Sequence, residues 1–513
     1  MGLYQSGQTE AAVALLYEAK ERDPLNPQVL YHLGNALRLA GAMDEAIRAL
    51  RAAIELDPGL TDAWFSLAFL HFYQRQPTDA EEVLKELCRR NPNDAMLQHK
   101  SAGLLAGFGR HAAAAELFER LLQLQPDHAV VRQQLGAQYQ KLGRFADAAL
   151  QFRRAIDLDP DNGPSYPLLA NNRRANEADR PLQALFESGL ARPGIGPDTR
   201  ACLHFGLGKL HDEWGDYDQA FGHFHAANEL RRAQAPFGRA AWQRQVDDIV
   251  RVCRQIEFKP PTRTTEGPVA GFVVGMLRSG TTLVERLLTN GSEAEGLGET
   301  ELVDSFIRRI ENYTAAPYPD CLLRLSQQDI EAIASDYRRQ IETGRETNLV
   351  LDKNPLNFMH VGMIALLMPE APILHCRRHA LDVCLSIYFQ DFAHIRNSYA
   401  YDLDDIAAFY AGYLRLMALW DELLPDRLID VEYEKLVQDP KTETRRLYQM
   451  LGLGWTPDVI RPQDNPATIS TASVWQARQP VYQSSVGRWR HYSKYLDSLR
   501  DVLEHIGQTI ERS

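Results

Sequence analysis

Five prolines, Pro24, Pro58, Pro92, Pro126 and Pro160, stand 34 residues apart. A chain that returns to the same pattern at a fixed period of this size builds one supersecondary unit repeatedly, and neighbouring units must stack because none can bury its apolar face alone. Ala46, Ala80, Ala114 and Ala148 keep the same period. Small residues at such positions let two helices approach closely. The unit starting at Pro27 places Leu33 and Gly34 in a first helix, Ala46, Leu50 and Ala53 in a second, and Pro58 at its close. The unit starting at Ala129 repeats this with Leu135, Gly136, Tyr139, Ala148, Phe152, Ala155 and Pro160.

This period and pattern resemble tetratricopeptide repeats, each a pair of antiparallel helices. The first repeat is cut short. Its second helix, Glu10 to Glu21, is present, whereas most of its first would precede Met1, so either the chain starts upstream or this helix is a cap. After Pro160 the pattern degrades and returns once, through Leu207, Gly208, Ala220, Phe224 and Ala227. Residues 1–257 are therefore expected to form an all-α tetratricopeptide solenoid, whose concave face suits a protein or peptide segment.

The stretch 258–268 is rich in Pro, Thr and Gly and reads as a linker. Beyond it, residues 269–513 show short apolar runs at Val269 to Met276, Asn348 to Leu351 and Ala371 to Cys376, and a weaker one at Arg427 to Val431, separated by helical patterns. Strands alternating with helices predict an α/β domain with a mainly parallel sheet. A length of 513 residues suits such a two-domain chain. A net charge of -12, with no long Lys/Arg run, argues against nucleic acid as a partner. Cys88, Cys202, Cys253, Cys321, Cys376 and Cys384 form neither a CxxC pair nor a zinc-site spacing, and a reducing cytoplasm is the expected location. No apolar run has the length of a membrane span, and no secretory signal is expected. Residues Met1 to Ser6 match the loose myristoylation pattern, read here as coincidence because they belong to the repeat.

The first apolar run ends in Gly275-Met276-Leu277-Arg278-Ser279-Gly280-Thr281-Thr282, with a helix expected over Leu283 to Thr289. Strand, glycine turn and helix N-terminus together make a P-loop-like anion site, where backbone N–H groups converge and the helix dipole favours negative charge. Ser279, Thr281 and Thr282 add hydroxyls and Arg278 a cation. Thr281 stands where a nucleotide-triphosphate loop requires lysine, which disfavours a triphosphate and its Mg²⁺. Asp352 imitates the metal-holding aspartate of such enzymes, leaving a Mg²⁺-dependent nucleotide phosphotransferase as the second reading.

Arg278-Ser279-Gly280-Thr281-Thr282 resembles the 5′-phosphosulfate loop of sulfotransferases that use 3′-phosphoadenosine 5′-phosphosulfate (PAPS). Arginine at 278, followed by Gly298-Glu299-Thr300, is more similar to the tyrosylprotein sulfotransferases than to the small-molecule enzymes. The combination with repeats resembles a bacterial family of tetratricopeptide sulfotransferases. The resemblance covers about residues 268–495. It implies PAPS as co-substrate with no metal, and a hydroxyl acceptor such as a protein or peptide tyrosine; carbohydrate, lipid or a small phenol are the other acceptor classes.

It also implies roles for particular residues. Ile373 to Arg378 reads as a strand ending in two arginines, and Arg378 with Ser386, on the helix that follows, implies a clamp for the 3′-phosphate. Gln390 stands where relatives carry another arginine. His375 and His379 bridge a strand end and a helix start, which does not suit a metal. Tyr433, in Val431 to Leu436, is implied at the adenine, Ser473 near the sulfonate and Arg488 near a phosphate. Glu299, expected at a helix start, is implied as the base that takes the acceptor proton, and Lys353 as a contact to the transferring sulfonate together with Arg278. A third reading is a repeat-based interaction protein with an inactive second domain.

Overall fold

The computed structural model describes residues 9–74, 76–260, 268–291, 293–342, 347–392, 395–465, 475 and 478–505. The chain divides into two compact units, Met1–Leu142 and Gly143–Ser513.

In the first unit each predicted repeat is a helical hairpin: Pro27–Leu39 with Met43–Leu56, Thr61–Tyr73 with Pro77–Arg90, and Ala95–Gly107 with His111–Leu124. Thr9–Arg22 precedes them and Ala129–Lys141 follows. Each periodic proline opens a turn between repeats. Ala46, Ala80 and Ala114 are wholly buried. Gly34 explains the Leu-Gly pair of the repeat: a Cβ there would stand 2.7 Å from Leu50 Cγ, so only glycine lets the hairpin close this tightly.

Helices continue in the second unit with Phe145–Leu158, Ser165–Ala170, Arg180–Leu190, Pro197–Trp214, Tyr217–Gln234 and Arg239–Cys253. The sheet has five strands: β1 (Val269–Gly275), β2 (Ala294–Gly296), β3 (Leu349–Lys353), β4 (Ile373–Arg377) and β5 (Leu428–Glu432). Their order is β2-β3-β1-β4-β5 and every pairing is parallel. The four predicted strands lie within one or two residues of their expected ends, while the three-residue β2 adds a strand to them. Side chains alternate along β1, so Phe272 and Val274 enter one buried core and Val273 the other. Both faces are covered, as a parallel sheet requires.

The first of these cores is shared with the helical segment. Phe205, Phe224, Trp242, Val246, Ile249 and Val252 pack in the same cluster as Phe272, Val274 and Trp420. The Phe224 ring stacks on Phe389 with centroids 4.0 Å apart. Asn228 Nδ2 donates to Tyr388 O at 2.8 Å, and Trp242 Nε1 to Ala408 O at 3.2 Å. Gly412 makes room for Trp242, since a Cβ would lie 2.5 Å from its indole nitrogen. The hairpin Pro197–Trp214 and Tyr217–Gln234 keeps the repeat signature, Gly208 lying against Phe224. It is nevertheless built into the α/β unit. Most of the expected linker lies outside the described residues. The organisation into a repeat solenoid over 1–257, a linker and a domain over 269–513 stands as a proposal by fold type; by contacts the division falls at Leu142 and Gly143.

Among the described residues no helix is long and apolar enough to cross a membrane. All six cysteines are buried free thiols.

Phe224→Ala tests the shared core. Loss of a fully buried ring costs about 3–5 kcal/mol. In urea denaturation the variant is expected to lower the midpoint of the transition that unfolds the sheet, read by near-UV circular dichroism, and not only a separate helical transition.

Candidate active site

The carboxyl ends of all five strands meet at one edge of the sheet, where open parallel sheets place their ligands. After β1 the chain turns through Met276 to Gly280 into the helix Thr281–Leu288, which starts two residues earlier than the sequence suggested. The turn needs unusual backbone. Gly275 has φ 150°, and a Cβ there would collide with Cys376 O at 2.6 Å. Gly280 caps the helix at φ 101° with its α-carbon against the Tyr433 ring, which a Cβ would meet at 2.6 Å. Arg278 itself has φ 67°, a conformation costing a non-glycine residue about 1–2 kcal/mol.

Arg278 Nε donates to Ser386 Oγ at 3.0 Å. Arg378, after β4, donates to the carbonyl oxygen of Arg278 at 3.0 Å and to that of Ser485 at 2.6 Å. Arg378 also lies 4.7 Å from the Tyr433 ring centroid. The two anion sites read from the sequence are thus one. Ser386 serves Arg278 instead of pairing directly with Arg378, because the left-handed turn at 278 sends its guanidinium towards the helix Ala380–Tyr388. Burial, and then the positive charge of Arg378, push the Arg278 pKa below the usual arginine value. Ser279 Oγ and Arg378 Nε are buried and make no hydrogen bond. Unsatisfied donors beside two repelling cations fit an anionic, multiply charged ligand. Thr281 is buried at 4% exposure, whereas Thr282 is partly exposed.

Glu299 and Lys353 are brought together. The Lys353 ammonium, at the end of β3 and 0% exposed, donates to Glu299 Oε1 at 2.7 Å. Contrary to the sequence reading, Glu299 is not at a helix start. It sits on a loop after β2, past a turn with Gly298 at φ 68°, and the helix begins only at Leu302. Asp352, one residue before Lys353 and on the opposite face of β3, accepts from Thr300 Oγ1 at 3.1 Å, Tyr337 OH at 3.2 Å and Asn357 Nδ2 at 3.3 Å. It is a buried structural carboxylate, which removes the metal-holding aspartate from the phosphotransferase reading.

Arg488 forms an ion pair with Asp212 of the helix Pro197–Trp214, and Tyr492 OH donates to the same carboxylate at 2.6 Å. Lys209 of that helix pairs with Glu213. Its pKa is lowered by burial, which Glu213 opposes and the charges of Arg488 and Arg278 reinforce. Tyr433 lies under Arg378 and Gly280, as described above. Ser473 lies outside the described residues. Arg377 pairs with Asp430 at 2.9 Å. His375 is held between Asp430 and Tyr413, while His379 stacks on Trp489, so the two imidazoles serve different contacts.

Two buried carboxylates escaped the sequence reading. Asp382 accepts from Gly487 N at 2.7 Å and Trp489 N at 2.9 Å, fastening the segment beside Arg378. Glu285 accepts from Gly298 N at 2.8 Å and stands 3.9 Å from Lys353 Nζ. Its spacing of one turn from Thr281 was the available signal, hidden because the helix was expected to start later.

Parts of the chain match known families and proteins. Residues 271–457 match the sulfotransferase family, and residues 1–61, 37–103 and 105–171 match tetratricopeptide repeats. An "Uncharacterized protein" of Aquifex aeolicus (strain VF5) is 30% identical over 344 residues, 64% of this chain; the match spans only 44% of that protein. Among solved structures, the sulfotransferase domain of the Synechococcus PCC 7002 olefin synthase is 19% identical with a TM-score of 0.35, covering 50% of this chain and 100% of that one. MamA from Desulfovibrio magneticus RS-1 is 21% identical with a TM-score of 0.25, covering 31% and 90%. These overlaps are partial, and the assignment rests on the family matches. The chain is a tetratricopeptide-repeat protein that carries a sulfotransferase-family domain.

Proposed function

We propose that the protein transfers the sulfonate of PAPS to a hydroxyl group of a protein or peptide, with tyrosine the favoured acceptor and the repeats helping to present it. One observation carries this reading: a wholly buried Lys353 paired with Glu299, in a site where the buried Ser279 Oγ of the anion loop and Nε of Arg378 make no hydrogen bond. In the reaction the acceptor oxygen forms a bond to sulfur as the bond from sulfur to the 5′-phosphate oxygen breaks. Glu299 takes the acceptor proton, and the leaving charge departs on 3′-phosphoadenosine 5′-phosphate. Lys353 and Arg278 stabilise the charge on the sulfonate and bridging oxygen. Gly280, Thr281 and Thr282 hold the 5′-phosphate with Ser279, whereas Arg378 and Ser386 favour the second phosphate; Ser473 is assigned to the sulfonate and Arg488 to a phosphate. The adenine lies against Tyr433. A phenol suits a carboxylate base because its pKa of about 10 leaves a smaller mismatch than an alkyl alcohol does. No metal is needed, since side chains supply the positive charge. The buried free thiols support a cytoplasmic location.

Calorimetry with 3′-phosphoadenosine 5′-phosphate is expected to show binding that does not need Mg²⁺, and Arg378→Ala is expected to weaken it about 10-fold or more, as loss of charge-assisted hydrogen bonds does. Mg²⁺-dependent binding of ATP in its place would support the phosphotransferase reading and sink ours.

Glu299→Gln is expected to lower transfer from sulfur-labelled PAPS by about 10²- to 10⁴-fold, the range of general-base catalysis, while leaving nucleotide affinity nearly unchanged. Tyrosine peptides, carbohydrates and small phenols as parallel acceptors identify the acceptor class. Nucleotide binding with no turnover on any of them supports the inactive interaction protein.

A further inference from the structure

Lys353 serves two carboxylates. Besides Glu299, its ammonium has Glu285 Oε2 at 3.9 Å. Glu285 comes from the helix Thr281–Leu288, one turn after Thr281, so the helix that follows the anion loop also aims a carboxylate at the end of β3. Its other oxygen accepts the Gly298 N–H at 2.8 Å and thereby holds the turn that carries Glu299. Gly296 is cut to fit it: a Cβ there would stand 2.7 Å from Glu285 Oε1. Glu285 is 9% exposed, whereas the Glu299 side chain is 38% exposed and open to an acceptor.

The arrangement has a chemical consequence. A carboxylate that keeps its ion pair with Lys353 is a poor base, so transfer requires the ammonium to leave Glu299 for the sulfonate. Glu285 loses the same positive charge at that moment. We propose that Glu285 is a positioning residue that holds Lys353 in reach of both Glu299 and the sulfonate, and that it takes up a proton when donor binding draws Lys353 away. The inference rests on the donor reading above.

The charges facing Glu285 are Lys353 from β3, Glu299 from the loop after β2 and Arg286 on its own helix. Arg286 is directed elsewhere, to the carbonyl oxygens of Pro462 and Asn465. Burial raises the Glu285 pKa above the usual carboxylate range, and Lys353 opposes this most strongly. Removing Lys353 therefore raises it further. The sign follows: a carboxyl whose pKa rises on binding gains a proton wherever pH lies between its free and bound values.

Calorimetry of PAPS binding to the full chain without acceptor, repeated across pH in buffers of different ionisation heat, measures this proton. Wild type is expected to take up a proton, Glu285→Gln to lose that uptake, and Glu299→Gln to keep it. Lys353→Ala is expected to lose it as well, because no ammonium is then drawn away from Glu285, and this variant decides the matter if Glu285→Gln does not fold. Uptake that survives Glu285→Gln or Lys353→Ala, uptake that vanishes in Glu299→Gln, or none in wild type overturns the assignment while leaving PAPS binding intact. Failure of the wild type to bind PAPS at all overturns the donor reading and this assignment with it.

Discussion

Two guanidinium groups that repel one another are held at the carboxyl end of the sheet, and much of the local structure exists to keep them there. Arg278 is turned into a left-handed conformation, and Arg378 braces its carbonyl. Glycine at 275 and 280 lets the loop press against Cys376 and Tyr433. Asp382 pins the segment around Gly487, whose neighbour Ser485 offers its carbonyl to Arg378. None of these contacts neutralises the pair. Like charges held side by side repel, and an anion that satisfies both relieves the repulsion.

Much of this was legible in the sequence, for identifiable reasons. The 34-residue period of proline and alanine survives because each repeat faces the same packing problem, so the helical hairpins were legible in the sequence. The strands were visible as apolar runs because both faces of the sheet are buried. Thr281 in the lysine position was the residue read as disfavouring a triphosphate. The three residues of β2 carry too little pattern to be seen, and with β2 missing, Glu299 was assigned to a helix instead of a loop.

Partners were harder to read than residues. Ser386 was read with Arg378 as a phosphate clamp, yet its hydroxyl accepts from Arg278, since one positive φ redirects a side chain in a way that spacing does not encode. Asp382, Glu285 and Asp212 answer groups between 13 and about 280 residues away, and for Asp382 and Asp212 no local signal distinguishes them from surface carboxylates. The feature they share is burial, which only the folded chain reveals.

The core that Phe224 and Trp242 share with the sheet bears on how such a chain can be recombined. A junction in the Pro-Thr-Gly stretch near residue 260 looks like the natural seam, yet cutting there would strip the α/β unit of the hydrophobic lid supplied by helices that still carry a repeat signature. By contacts the chain divides earlier, at Leu142 and Gly143. Exchange of one repeat array for another, in the laboratory or in evolution, is least disruptive when the hairpin Pro197–Trp214 and Tyr217–Gln234 travels with the α/β unit whose core it shares.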